Sequence, residues 1–193
     1  MGRKGEARRQ QILDAARQIL LEQGPDGLVL RDVAERLGIT HGNLQYYFRT
    51  RQSLLVAIFD QEVAKYTENM KSAVAATSSK RGRLDAIIDS GLALLRTPET
   101  ALWHMLWSMA GHSTEMAVIL KKENDLYEAS LAKELKSVAP HLTAQRRTHL
   151  AKIIRALLDG ISIQLINEKA DSATTKALQN EMKSAVLAIV EAG

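Results

Sequence analysis

Apolar residues along this chain recur almost everywhere at the three- and four-residue spacing of an α-helix, and nowhere does a two-residue alternation rise above it. Ile12, Leu13, Ala16, Ile19 and Leu20 make the first stripe, which predicts a helix from about Glu6 to Gln23. Gly24-Pro25-Asp26-Gly27 ends it, because proline and glycine in one short run cannot continue a helix. A short second helix is expected over Leu30–Leu37, closed by Gly38 in a left-handed conformation. Thr40 stands where an N-cap belongs, ahead of a brief third helix over His41–Tyr47. Thr50 should cap a long fourth helix running from Arg51 to about Ala75.

The polar break over residues 77–82 leads to a fifth helix carrying Leu84, Ile87, Ile88, Gly91, Leu92 and Leu95. Thr97-Pro98-Glu99 reads as the start of a sixth, to about Ala110, so apolar on every side that burial is expected. Three more helices follow over Thr114–Val138, Thr143–Glu168 and Ser172–Glu191. The expected fold is therefore all-α, with about nine helices: an N-terminal three-helix domain over residues 1–50 and a larger helical bundle over residues 51–193.

Composition narrows the function classes. With 46% hydrophobic and 25% charged residues the chain is ordinary globular material. It contains no cysteine, which removes disulfides, thiolate metal sites and a cysteine nucleophile. No stretch reaches the roughly 20 apolar residues of a membrane span, and the first residues lack a signal peptide's apolar core; a cytoplasmic protein without a membrane partner is expected. The formal net charge is +4. Arg3, Lys4, Arg8 and Arg9 against Glu6 suggest a mobile basic arm that could track phosphates.

The informative unit lies between residues 28 and 54. A short helix, a tight turn at Gly38-Ile39-Thr40 and another short helix form a helix-turn-helix. In such a unit the N-terminal part of the second helix enters the major groove, where each base pair displays a distinct pattern of donors and acceptors. Val33, Ala34, Leu37, Ile39, Leu44 and Phe48 are apolar where helices must hold together. Thr40, His41, Asn43 and Gln45 face away from them, and Gly42 would let the backbone approach DNA closely. Asn and Gln can each read adenine through two hydrogen bonds.

Leu30-Arg31-Asp32-Val33-Ala34-Glu35-Arg36-Leu37-Gly38-Ile39-Thr40-His41-Gly42-Asn43-Leu44-Gln45-Tyr46-Tyr47-Phe48, followed by Arg49-Thr50-Arg51-Gln52-Ser53-Leu54-Leu55, resembles the signature of TetR-family regulators. The resemblance is specific over about residues 8–60. It implies DNA contacts by Arg8, Arg31, Thr40, His41, Gly42, Asn43, Gln45, Tyr46, Tyr47 and Arg51, the two tyrosines and Arg51 at phosphates, with one ring able to brace the bundle instead. Two positions depart from the pattern: Gln45 stands where many members have tyrosine, and Val29 where many have a capping threonine or serine.

The resemblance also implies a second domain that binds a small-molecule effector and dimerises, so that two heads reach successive major grooves of double-stranded operator DNA. The fourth helix is then the lever by which a ligand releases a repressor from its operator. Stripes at Leu150, Ile153, Ile154, Leu157, Leu158 and Ile161, and at Leu178, Met182, Val186 and Ile189, are candidates for the homodimer interface. Trp103, Met105, Trp107, Met109, His112, Asn124, Tyr127 and Gln164 are candidates for the effector pocket. Residues 103–127 loosely resemble the choline-responsive repressors of that family. No cofactor is expected.

Two other readings remain. Neither the spacing nor the flanks of His104, His112, His141 and His149 match a metal-ligand motif, and no phosphate-cradling loop or nucleophile elbow is present, which argues against an enzyme. A nonspecific architectural DNA protein would explain the basic arm but not the long helical remainder.

Overall fold

The computed structural model describes residues 2–95, 97–166 and 172–191. Nine α-helices and one 3₁₀ turn, and no strand, occur among the described residues: α1 (Arg3–Gln23), the 3₁₀ turn Pro25–Gly27, α2 (Leu30–Arg36), α3 (His41–Tyr47), α4 (Arg51–Ala75), α5 (Lys80–Leu94), α6 (Thr100–Ala110), α7 (Thr114–Val138), α8 (Ala144–Gln164) and α9 (Ala173–Glu191). Polar caps set many of these boundaries. The side chains of Thr40, Ser79 and Thr143 accept from the backbone N–H three residues on, at 3.1, 3.0 and 3.1 Å. Thr50 and Ser53 exchange bonds, each side chain accepting from the other's N–H at 3.0 and 3.2 Å, which satisfies donors that a helix start leaves open.

Three boundaries differ from the sequence expectation by more than one residue. First, α1 starts at Arg3, so Arg3, Lys4, Arg8 and Arg9 lie on a helix and not on a mobile arm. Second, Thr97-Pro98-Glu99 does not open α6. The Thr97 hydroxyl donates to the Leu94 carbonyl at 2.8 Å, and the Thr100 hydroxyl to the same oxygen at 2.7 Å, so this polar segment closes α5 and α6 begins at Thr100. Third, α8 ends at Gln164 with Leu165 as its C-cap; the expected end at Glu168 lies outside the described residues. Nor is α6 buried all round: Leu102 and Leu106 are buried, while Trp103, Met105 and Trp107 are half-buried.

The chain packs as two compact units, Met1–Glu62 with Ala101–Leu120, and Val63–Thr100 with Lys121–Gly193. The first joins α1 to α3, the first half of α4, and the 101–120 stretch around one core. That core includes Ile12, Leu13, Leu20, Leu44, Phe48, Phe59, Leu102, Leu106, Met116 and Ile119. The second is held by Met70, Ile87, Ile88, Leu131, Leu135, Leu150, Ile154, Leu158, Met182 and Val186. There α5 approaches α8 so closely at Gly91 that a Cβ would stand 2.5 Å from a Leu158 methyl carbon.

Candidate nucleic-acid interface

The turn between α2 and α3 positions the site. Gly38 takes φ +62°, a left-handed conformation that side chains with a Cβ disfavour. From there the Gly38 N–H donates to the Glu35 carbonyl and the Ile39 N–H to the Ala34 carbonyl, both at 3.0 Å. This pair of bonds closes the carbonyl end of α2 and turns the chain into α3. Leu44 is fully buried and anchors α3 from beneath. Thr40, His41, Gly42, Asn43, Gln45 and Tyr46 are all exposed.

Helix α3 thus presents a polar, acid-free face on a helix of seven residues. The two tyrosines have different surroundings. Tyr46 is 77% exposed, whereas Tyr47 is half-buried and packs against the unit's core, its ring edge-on to that of Tyr46 at 5.1 Å. Tyr46 is therefore the ring exposed to solvent, and Tyr47 the one that braces the helix. A Cβ at Gly42 would meet nothing within 4 Å, so no neighbour within the protein requires glycine there.

Of the basic residues, Arg31 is exposed in the first turn of α2. Arg8 is half-buried and lines a shallow groove of about 560 Å³ with Gln11, Asp14, Gln18 and Arg36. Arg51 is engaged inside the protein: its Nε donates to the Leu28 carbonyl at 3.1 Å and an Nη to the Pro25 carbonyl at 2.6 Å. Val29 is the N-cap of α2 without a side-chain cap bond, and is 46% exposed.

Several braces escaped the sequence reading. Gln10 and Gln61 pair by two amide hydrogen bonds, 2.7 and 3.3 Å, and Arg17 pairs with the buried Glu62 at 2.8 Å. Both tie α1 to α4. The Arg9 guanidinium lies 5.2 Å over the Phe48 ring, a cation–π contact at the end of α3. Each joins residues more than thirty positions apart, so no local pattern in the sequence signals them.

The effector candidates divide between the two units. In the first, Trp103 and Met109 pack against the core, with Trp103 5.6 Å from Phe59; Met105 and Trp107 are half-buried and His112 is exposed. Burial lowers the pKa of His104, whose ring is 5.8 Å from that of Trp107. In the second, Asn124 is half-buried and Gln164 is exposed. Tyr127 shares a 3.3 Å hydroxyl–hydroxyl bond with Tyr66. Near this pair Arg155 holds Glu128 at 2.8 Å and Asp159 at 2.6 Å. Burial raises the Tyr66 hydroxyl to about 12 and lifts that of Tyr127 well above its usual value. Burial likewise raises Asp159 to about 6, with Arg155 opposing it.

The apolar stripes expected at a dimer interface resolve into two faces. Leu150, Ile154, Leu158, Ile161, Met182 and Val186 are buried in the subunit's own core, and Leu157 and Ile189 pack against it. The first six are covered within their own subunit, whereas Leu157 and Ile189 keep part of their surface exposed. Ile153 and Leu178 are exposed at 37% and 36%, and Ile163 and Ile166 at 51% and 62%. Ala156 and Gly160 on α8 are exposed too, as is Ala185 on α9.

Residues 12–58 match the family of bacterial regulatory proteins described as the tetR family. Residues 80–190 match the C-terminal domain of BetI-type transcriptional repressors. The HTH-type transcriptional regulator BetI of Burkholderia mallei (strain NCTC 10229) is 25% identical over 188 residues, covering 95% of each chain. That of Yersinia pestis (strain Pestoides F) is 27% identical over 158 residues, 80% of this chain and 78% of its own. Among solved structures, a TetR transcription regulator from Haloarcula marismortui superposes with a TM-score of 0.75 at 15% identity, covering 97% of this chain and 98% of its own. A transcriptional regulator from Saccharomonospora viridis in complex with choline does so at 0.71 and 18%, covering 96% of each. These two likenesses show the fold.

Proposed function

Since the chain belongs to the TetR family of transcriptional regulators, with a BetI-type C-terminal domain, we propose that it is a repressor that binds a palindromic operator as a homodimer and is released by a small-molecule effector. The observation that carries the DNA-binding part is α3: five exposed residues without an acid, on a helix held from beneath by Leu44 and fixed at its start by the exposed Thr40. Asn43 and Gln45 read bases, and His41, Thr40 and Tyr46 hold phosphates or bases around them. Arg31 supplies a cation from the first turn of α2, and Arg8 one from α1.

A single head of this size contacts only a few base pairs, so selectivity requires two. The exposed face of Ile153, Ala156, Gly160 and Ile163 on α8, with Leu178 and Ala185 on α9, meets its own copy about a two-fold axis. The effector acts through α4, which carries Tyr66 in the second unit and Leu55, Ile58 and Phe59 in the core of the first, so a ligand that shifts α4 moves the reading head. Release requires tighter ligand binding by the form that does not fit DNA.

Small organic cations are the first effector class to test. Tyr66 and Tyr127 lie near two carboxylates, Glu128 and Asp159, that share one arginine, and aromatic rings and carboxylates both favour a cation. The Saccharomonospora viridis relative was solved with choline. Titration calorimetry with choline checks this, and absence of heat at millimolar ligand excludes it.

The function as a whole is tested by fluorescence anisotropy on an operator duplex selected from random sequences, against a scrambled duplex. The wild-type chain should prefer the operator by at least about 10³, the lower end for specific regulators. Tyr46→Ala should lose at least tenfold of operator affinity, about 1.4 kcal/mol, without a change in Tm. Equal binding to both duplexes contradicts the reading.

A further inference from the structure

We propose that Arg51 is a positioning residue of the DNA-reading unit: its guanidinium latches the first turn of α4 to the segment that carries α2, and it acts on operator recognition through that latch instead of by holding a phosphate. The proposal rests on the DNA-reading function above and adds to it a role for one residue.

The geometry is specific. Two nitrogens of one planar group reach two carbonyls, Leu28 at 3.1 Å and Pro25 at 2.6 Å. These bracket the turn whose own bond runs from the Leu28 N–H to the Pro25 carbonyl at 3.1 Å. Charge-assisted bonds from a guanidinium fork are stronger than neutral ones and fix orientation as well as distance.

What the latch fixes is the entry to α2. Leu28 is buried and immediately precedes Val29, the N-cap that makes no side-chain bond. A helix start without a side-chain cap is free to fray and tilt. Here a residue of another helix restrains it from outside. The tilt of α2 is passed on through the turn into α3, where the Gly38 and Ile39 N–H groups donate to the Glu35 and Ala34 carbonyls of α2. With seven residues, α3 has little stability of its own, so its orientation follows α2. Arg51 therefore sets where Asn43 and Gln45 point while touching neither.

Arg51→Lys separates the two roles. A lysine keeps the charge and reach for a phosphate but replaces the planar fork by one nitrogen at the tip. Affinities of wild type, R51K and R51A for operator and scrambled duplexes are measured between 50 and 200 mM salt. The latch requires both variants to lose about tenfold or more on the operator, the scale of one specific contact. It also requires affinity for scrambled DNA and the slope of log K against log salt to stay unchanged. A phosphate contact gives the opposite: R51K binds as wild type, and R51A weakens on both duplexes with a slope smaller by about 0.9 per lost phosphate. That result overturns the proposal.

Val29→Ser provides a second test that a general loss of stability does not mimic. Restoring a side-chain cap to α2 should recover operator affinity in the R51K background by more than it adds to wild type, a coupling read from the four-protein cycle. Equal effects in both backgrounds overturn the latch. A wild-type chain that fails to discriminate the operator contradicts the DNA-reading function itself, and is seen before any variant is compared.

Discussion

Gly42 lies in the first turn of α3 where no neighbour of its own chain needs it, since a Cβ there meets nothing within 4 Å. Glycine inside a helix costs about 1 kcal/mol relative to alanine, and in the proposed function the return for that cost is the close approach of backbone to DNA. Gly42→Ala should therefore raise unfolding stability in urea by up to about 1 kcal/mol while lowering operator affinity; gains in both would remove the glycine from the interface. Gly38 is the opposite case. Its φ of +62° makes Gly38→Ala destabilising by about 1–2 kcal/mol, with DNA binding falling only as the fold is lost. Which polar residues would be displayed was legible in the sequence, because Leu44 and Phe48 fix which way the short helix faces. The engagement of Arg51 was not, because its partners are backbone carbonyls 23 and 26 residues away, which carry no sequence signature.

At the scale of elements, periodicity marked the long helices because each carries a stripe that some core needs, while α3, which buries only Leu44, was marked by its Thr40 cap. Periodicity could not tell one core from another. Leu150, Ile154 and Leu158 have the same spacing whether they face α5 or a second copy, and only the packing assigns them to the subunit's interior. The start of α6 was misread for a related reason: Thr97 is as able to close the preceding helix as to open the next, and it bonds to Leu94. Within the second unit, α8 carries Asp159 with its pKa raised by burial to about 6. A carboxyl whose folded pKa exceeds its unfolded value binds more protons when folded, so stability should fall as pH rises from about 4 to 6. Asp159→Asn should flatten that part of the pH profile and leave the protein more stable at pH 7 by on the order of 1 kcal/mol, the carboxylate being partly solvated. Denaturant melts at pH 4.5 and 7 measure both, and an unchanged slope would show that burial does not govern this group.

For the molecule as a whole, the proposed dimer rests on an exposed face built from Ile153, Ala156, Gly160 and Ile163, with Leu178 and Ala185 on α9. Gly160 is open to solvent, with nothing within 4 Å of a Cβ. Gly160→Leu should stabilise the isolated helix yet disrupt the association; sedimentation should show dimer for wild type and monomer for the variant at micromolar concentration. A monomeric wild type removes the two-headed account. The most direct test of that account is selection of DNA from a random-sequence duplex library by the full chain. Two identical heads on a two-fold axis predict enrichment of an inverted repeat with half-site centres about one helical turn, 34–36 Å, or a multiple of it apart. Enrichment of no sequence, or of a single unrepeated element, would contradict it.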